Sequence, residues 1–92
     1  LSAVVSQQLF RRPDQPGMVP ALEIMLATPA VRNLVREDRT FELPNVIETS
    51  RELGMQTLDH AIARLFFNQM ITQDQALEKA NNPKQVQQLL AA

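Results

Sequence analysis

The sequence has no cysteine and only two glycines in 92 residues. Without cysteine there can be no disulfide and no thiolate zinc site, a composition that suits a reducing compartment. A loop that cradles phosphates needs glycines arranged as in G-x-x-x-x-G-K-[ST], so that backbone amides can approach the anion. Gly17 and Gly54 lie in no such pattern, so no ATP hydrolysis is expected from these residues alone. Basic charge is not in excess either: nine Lys and Arg against ten Asp and Glu give a formal charge of −1, with no cationic run to neutralise several phosphates. Nucleic acid is therefore not an expected partner. No stretch reaches the ~18–20 apolar residues of a membrane-spanning helix, and Leu1–Val5 is too short and lacks the basic start of a signal peptide. The chain opens on Leu1 rather than Met, and we read it as a segment of a longer protein.

What is present is ordinary globular composition, 45% hydrophobic and 21% charged, in a length that fits one small domain or part of one. Ser6–Arg12 and Val19–Leu26 are apolar-rich segments joined by Pro13-Asp14-Gln15-Pro16-Gly17, a turn-forming cluster, and predict a β-hairpin. Pro20 lacks an N–H and belongs at an edge or strand start. Leu1–Val5 fits either a strand or the tail of a helix. Thr28 before Pro29 reads as an N-cap with proline at the first helical position, and Val31, Leu34 and Val35 then fall on one face, with a stop near Asp38. A second helix is predicted from Pro44 to Leu53 on the spacing of Leu43, Val46, Ile47, Ser50 and Leu53, stopped by Gly54. Thr57 caps a third, whose stripe of Leu58, Ala61, Ile62, Leu65 and Phe66 marks the centre of the domain. Thr72 and Gln75 form a capping box behind Ile71, and Asn82-Pro83 opens a last helix with Val86, Leu89 and Leu90. The expected fold is mostly α with a β-hairpin (α+β).

The chemistry-bearing residues do not converge. His60 is the only histidine and Asp59 beside it points elsewhere on a helix, so the histidine is expected to be solvated or partly packed. Glu48 and Glu52 are four apart and are read as a polar face near Arg51, Phe66 and Phe67 as core and contact residues, and Arg11-Arg12 as solvated charges. No catalytic, cofactor-binding or metal-binding residue is assigned. The segment Ala30-Val31-Arg32-Asn33-Leu34-Val35-Arg36-Glu37 remains. Its two arginines, four apart, present planar forks suited to carboxylates, and Asn33 both donates and accepts, which is the make-up of a contact surface.

These eight residues, with Val19–Leu26 before them, resemble the C-terminal signature of the PilT-type retraction ATPases of bacterial type IV pili. Val4–Leu9, Pro20–Glu37, Gly54–Asp59, Ile71-Thr72 and Ala76-Leu77 look like successive landmarks of that family along nearly the whole chain. Asp38-Arg39 departs from the family's usual Gly-Lys, and Phe66–Met70 from a segment that commonly holds Tyr and Gly. The resemblance implies the C-terminal helical part of a RecA-like secretion-ATPase domain. Residues 1–27 would then form a hairpin at the edge of the RecA-like core, and residues 28–92 a helical subdomain. It further implies a cytoplasmic homohexamer peripheral to the bacterial inner membrane, with ATP and Mg bound upstream of Leu1 and with neighbouring subunits and the pilus machinery as partners. Ala30, Val31, Arg32, Asn33, Leu34, Val35, Arg36 and Glu37 would be its retraction signature. A PilU-like or secretion/assembly ATPase paralogue, or a non-enzymatic helical protein-interaction module, stands as the alternative.

Overall fold

Apolar residues two apart on neighbouring strands begin the fold. In the computed structural model, which describes residues 2–91, β1 (Ala3–Arg11) and β2 (Met18–Leu26) pair antiparallel in register from Ala3 against Leu26 to Arg11 against Met18. β1 therefore starts at Ala3, which resolves Ala3–Val5 as strand; Leu1 lies outside the described residues. Gly17 closes the turn at φ +121°, a conformation that L side chains avoid, and its carbonyl accepts from the Arg12 amide at 3.0 Å. Arg12, read from sequence as a solvated charge, is held in the turn: its guanidinium donates twice to the Asp14 carboxylate, at 2.9 and 3.1 Å. That contact holds the Asp14 carboxyl below its usual range.

Five α-helices follow among the described residues: α1 (Pro29–Arg36), α2 (Leu43–Thr49), α3 (Leu58–Phe67), α4 (Gln73–Lys79) and α5 (Pro83–Leu90). The capping chemistry of the sequence is used as written. The hydroxyls of Thr28, Thr57 and Thr72 and the side-chain oxygen of Asn82 each accept an amide three residues on, and Gln75 returns its side chain to the Thr72 amide at 2.8 Å. Helices of seven to ten residues cannot persist alone, because nucleation is too costly at that length. Packing holds them.

Two cores do so. The larger joins Phe10 and Ala21 of the hairpin to Leu58, Ala61 and Ile62 of α3, with Ile71, Ala76 and Val86. Ile62 at its centre is fully buried. The smaller gathers Val31, Ile47 and Met55, with Met25, Leu26, Leu43 and Val46 around them. A bridge between Ile24 and Gln56, with both backbone hydrogen bonds at 3.0 Å, ties β2 to the segment leading into α3.

The second helix is shorter than its periodicity predicts. α2 ends at Thr49, whose hydroxyl donates back to the carbonyls of Asn45 and Val46 at 3.0 and 3.2 Å. That back-bonding competes with the main-chain ladder. Ser50 leaves helical geometry, and Arg51–Leu53 continues as a 3₁₀ turn stopped by Gly54 at φ +95°. Leu53, expected on the buried face, is 61% exposed. Glu48 and Glu52 are consequently not a pair on one helix.

Candidate functional site

Thr28 and Pro29 fix where α1 begins, and its two buried residues, Val31 and Leu34, fix which way it faces. The face is narrower than the sequence implied. At 100° per residue the midpoint between Val31 and Leu34 lies about 70° from Val35, and Val35 is 55% exposed. It does not anchor the helix. Ala30, Arg32, Asn33, Arg36 and Glu37 are also exposed, so six of the eight signature residues line one outward surface and only Val31 and Leu34 hold it in place.

The helix ends in a Schellman motif. The Asp38 amide bonds the Val35 carbonyl at 3.2 Å, the Arg39 amide bonds that of Leu34 at 2.8 Å, and Asp38 takes the left-handed conformation at φ +58°. This reversal lays a 3₁₀ turn, Thr40–Glu42, against α1. Sequence periodicity could not show that turn, which spans only three residues. Arg39 there donates to the carboxylates of Glu42 and Glu37, and Glu42 first, then Glu37, holds the guanidinium pKa further above its ordinary range. Arg32 and Arg36 form no ion pair among the described residues.

Other candidate residues sit in structural roles. The His60 ring is largely buried, its Nδ1 2.7 Å from the Thr57 hydroxyl and its Nε2 3.7 Å from a Glu48 carboxylate oxygen, joining α3 to α2. Phe66 packs on the larger core and meets the exposed Phe67 edge-on, with ring centroids 5.5 Å apart. Asp59, for which the spacing predicts no role, is buried at 4% exposure. Its two carboxylate oxygens accept the amides of Asn81 and Asn82 at 2.8 and 2.9 Å, clamping the corner between α4 and α5. The available signal was an acidic residue flanked by the apolar stripe of a helix, facing a capping Asn-Asn-Pro.

A cleft of about 700 Å³ lies beside that clamp, lined in part by Glu23, Glu48, Asp59 and Lys84. Two of these three acids are already engaged, since Glu23 accepts the Leu58 amide at 3.2 Å and Asp59 both amides of its corner. Among the described residues no three His, Cys, Asp or Glu side chains gather as metal ligands, and none of their helices is long and apolar enough to cross a membrane. Gly17 and Gly54 serve a hairpin turn and a helix stop, so these residues do not fit a nucleotide's phosphates. Among the described residues the chemistry-bearing side chains stay apart, and α1 offers an exposed polar surface.

No protein-family profile matches the sequence. Among curated proteins it is 43% identical over 84 residues to the type IV pilus retraction ATPase PilT of Pseudomonas aeruginosa, covering 91% of this chain and 24% of that protein. It is 39% identical over 82 residues to a twitching motility protein of Neisseria gonorrhoeae, covering 89% of this chain and 22% of that one. To the type IV pilus ATPase PilU of Pseudomonas aeruginosa it is 38% identical over 82 residues, again covering 89% and 22%. The chain thus spans about a quarter of the length of these relatives. It is homologous to the C-terminal part of the PilT-type pilus ATPases.

Proposed function

We propose that this chain is the C-terminal helical portion of a hexameric motor that retracts type IV pili, and that α1 transmits force rather than binding nucleotide. The observation that supports this is the division of α1. Val31 fixes the helix in the smaller core and Leu34 is buried as well, while Arg32, Asn33, Arg36 and Glu37 are held outward with no catalytic partner. A rigid helix with a polar outer face suits contact with a neighbouring subunit or the pilus base. In this reading residues 1–27 belong to the edge of a RecA-like core and residues 28–92 form a helical subdomain. ATP and Mg act elsewhere in the motor, at the cytoplasmic face of the inner membrane.

Arg32→Ala in the intact protein is expected to abolish twitching while sparing most ATP hydrolysis, because the arginine is exposed and packs no core. Proportional loss of both activities would overturn the transmission role. A second reading, a PilU-like motor, rests on the identity to PilU, 38% against 43% to PilT. Restoration of twitching in cells lacking PilU, but not in cells lacking PilT, would select it.

A further inference from the structure

No residue is shared by the two cores, and residues 28–53 contribute to the smaller one alone, through Val31, Leu43, Val46 and Ile47. The chain enters this lobe at Ala27, after β2, and leaves it at Gly54, which stands at φ +95°. Met25, Leu26 and Met55 complete the smaller core from outside the lobe. Two of these three are methionines, whose unbranched side chains repack around a shifting neighbour. Among the described residues a single side-chain tie leaves the lobe, from the Glu48 carboxylate to the His60 ring on α3 at 3.7 Å; its other side-chain hydrogen bonds and ion pairs stay inside it. A unit with a small core of its own and one polar tie moves at less cost than the elements packed around Ile62.

The cleft of about 700 Å³ lies between the two units: α2 lines it with Pro44, Asn45 and Glu48, and α5 with Lys84, Gln85 and Gln88. These walls belong to different cores, since α2 packs by Ile47 and α5 by Val86. Glu48 and Lys84 bring opposite charges to one cleft, and Lys84 forms no ion pair among the described residues. We propose that residues 28–53 swing as one lobe, hinged at Ala27 and Gly54, and close this cleft by moving Glu48 from His60 to Lys84. The exchange improves the charge partner, because an ammonium is charged at neutral pH whereas an imidazole is charged only when protonated. A partly exposed ion pair contributes little, so it sets the ratio of open to closed lobes and locks neither. Hinge closure needs only a few element-terminal residues to absorb the change in φ and ψ. The inference does not depend on force transmission by α1, which the lobe carries with it.

The test uses the intact protein, cleared of other cysteines and carrying spin labels at Asn45→Cys on α2 and Gln88→Cys on α5. Pulsed electron resonance reads the distance between them, with labelled subunits diluted in unlabelled ones so that each distance lies within one chain. Two distances are expected, one for each position of the lobe. The shorter should lose weight against the longer by about two- to fivefold with Glu48→Gln or with Lys84→Gln, the scale of one partly exposed pair. Glu48→Lys combined with Lys84→Glu should restore it. Labels at Arg64→Cys and Gln88→Cys, on two helices of the larger core, should give one distance that none of these substitutions moves. A single distance between α2 and α5, or a shorter one that ignores either substitution, would overturn the closure. So would an equal change in the control pair, which marks loosening of the whole fold. Arg32→Ala, which tests transmission by α1, should leave both distances as they are, so the two readings fail separately.

Discussion

Replacing Gln69 by glycine should stabilise the protein. α3 ends as α1 does, in a Schellman motif: the Gln69 amide bonds the Phe66 carbonyl at 2.9 Å, the Met70 amide bonds that of Leu65 at 3.0 Å, and Gln69 stands at φ +63°. A left-handed L-residue costs roughly 1–2 kcal/mol because its Cβ crowds the following carbonyl. Glycine removes that cost but gives up about 0.5–1 kcal/mol of chain entropy on folding, which leaves a net gain of about 0.5–1 kcal/mol. The Gln69 side chain is exposed and forms no hydrogen bond among the described residues, so little is lost with it. For a domain of this size the gain corresponds to roughly 2–8 °C in melting temperature. Thermal unfolding followed by circular dichroism measures it. Gln69→Ala is the control, because alanine keeps the Cβ and the crowding and should not raise the melting temperature. Equal stabilisation by alanine and glycine, or a loss with glycine, would refute the reasoning. Asp38→Gly at the matching position of α1 should gain less, since aspartate tolerates the left-handed region better than glutamine does.

Asp59→Ala removes the acceptor of two part-buried amide hydrogen bonds, at about 0.5–1.5 kcal/mol each, so denaturant unfolding should show a loss of about 1–3 kcal/mol; Asp59→Asn, which keeps one acceptor oxygen, should lose less. Asp14 sits below its usual range because Arg12 donates to it. Its small contribution is present above the unfolded-state pKa and is lost as pH falls through the lower folded one. An NMR titration should place the Asp14 midpoint below that of an aspartate in a free peptide, and Arg12→Ala should raise it.

Local signals in this sequence carried far because they are satisfied locally. Thr28, Thr57, Thr72 and Asn82 cap the helices that follow them, and Gly17 and Gly54 take the positive φ angles their positions require. The hairpin and the stripe of α3 were also legible, since a period of two and one near 3.6 each need only one element to be read. The signature segment was legible as a helix with a polar outer face. Its resemblance to the PilT family agrees with identities of 38–43% over about nine-tenths of the chain.

Where competing interactions or distant partners decide, the sequence was silent or misleading. Apolar spacing carried the second helix to Leu53, but the Thr49 hydroxyl ended it four residues earlier. Spacing also put Val35 on the buried face, whereas the direction from which Ile47 and Met55 close on the helix left it outside. Asp59 acquired its role only because the corner at Asn81 and Asn82, 22 and 23 residues away in sequence, folds back onto α3. The sequence by itself determined where the helices begin and which residues cap them. Tertiary structure decided which helix residues point outward, because burial depends on what arrives from elsewhere in the chain and not on the period of one element.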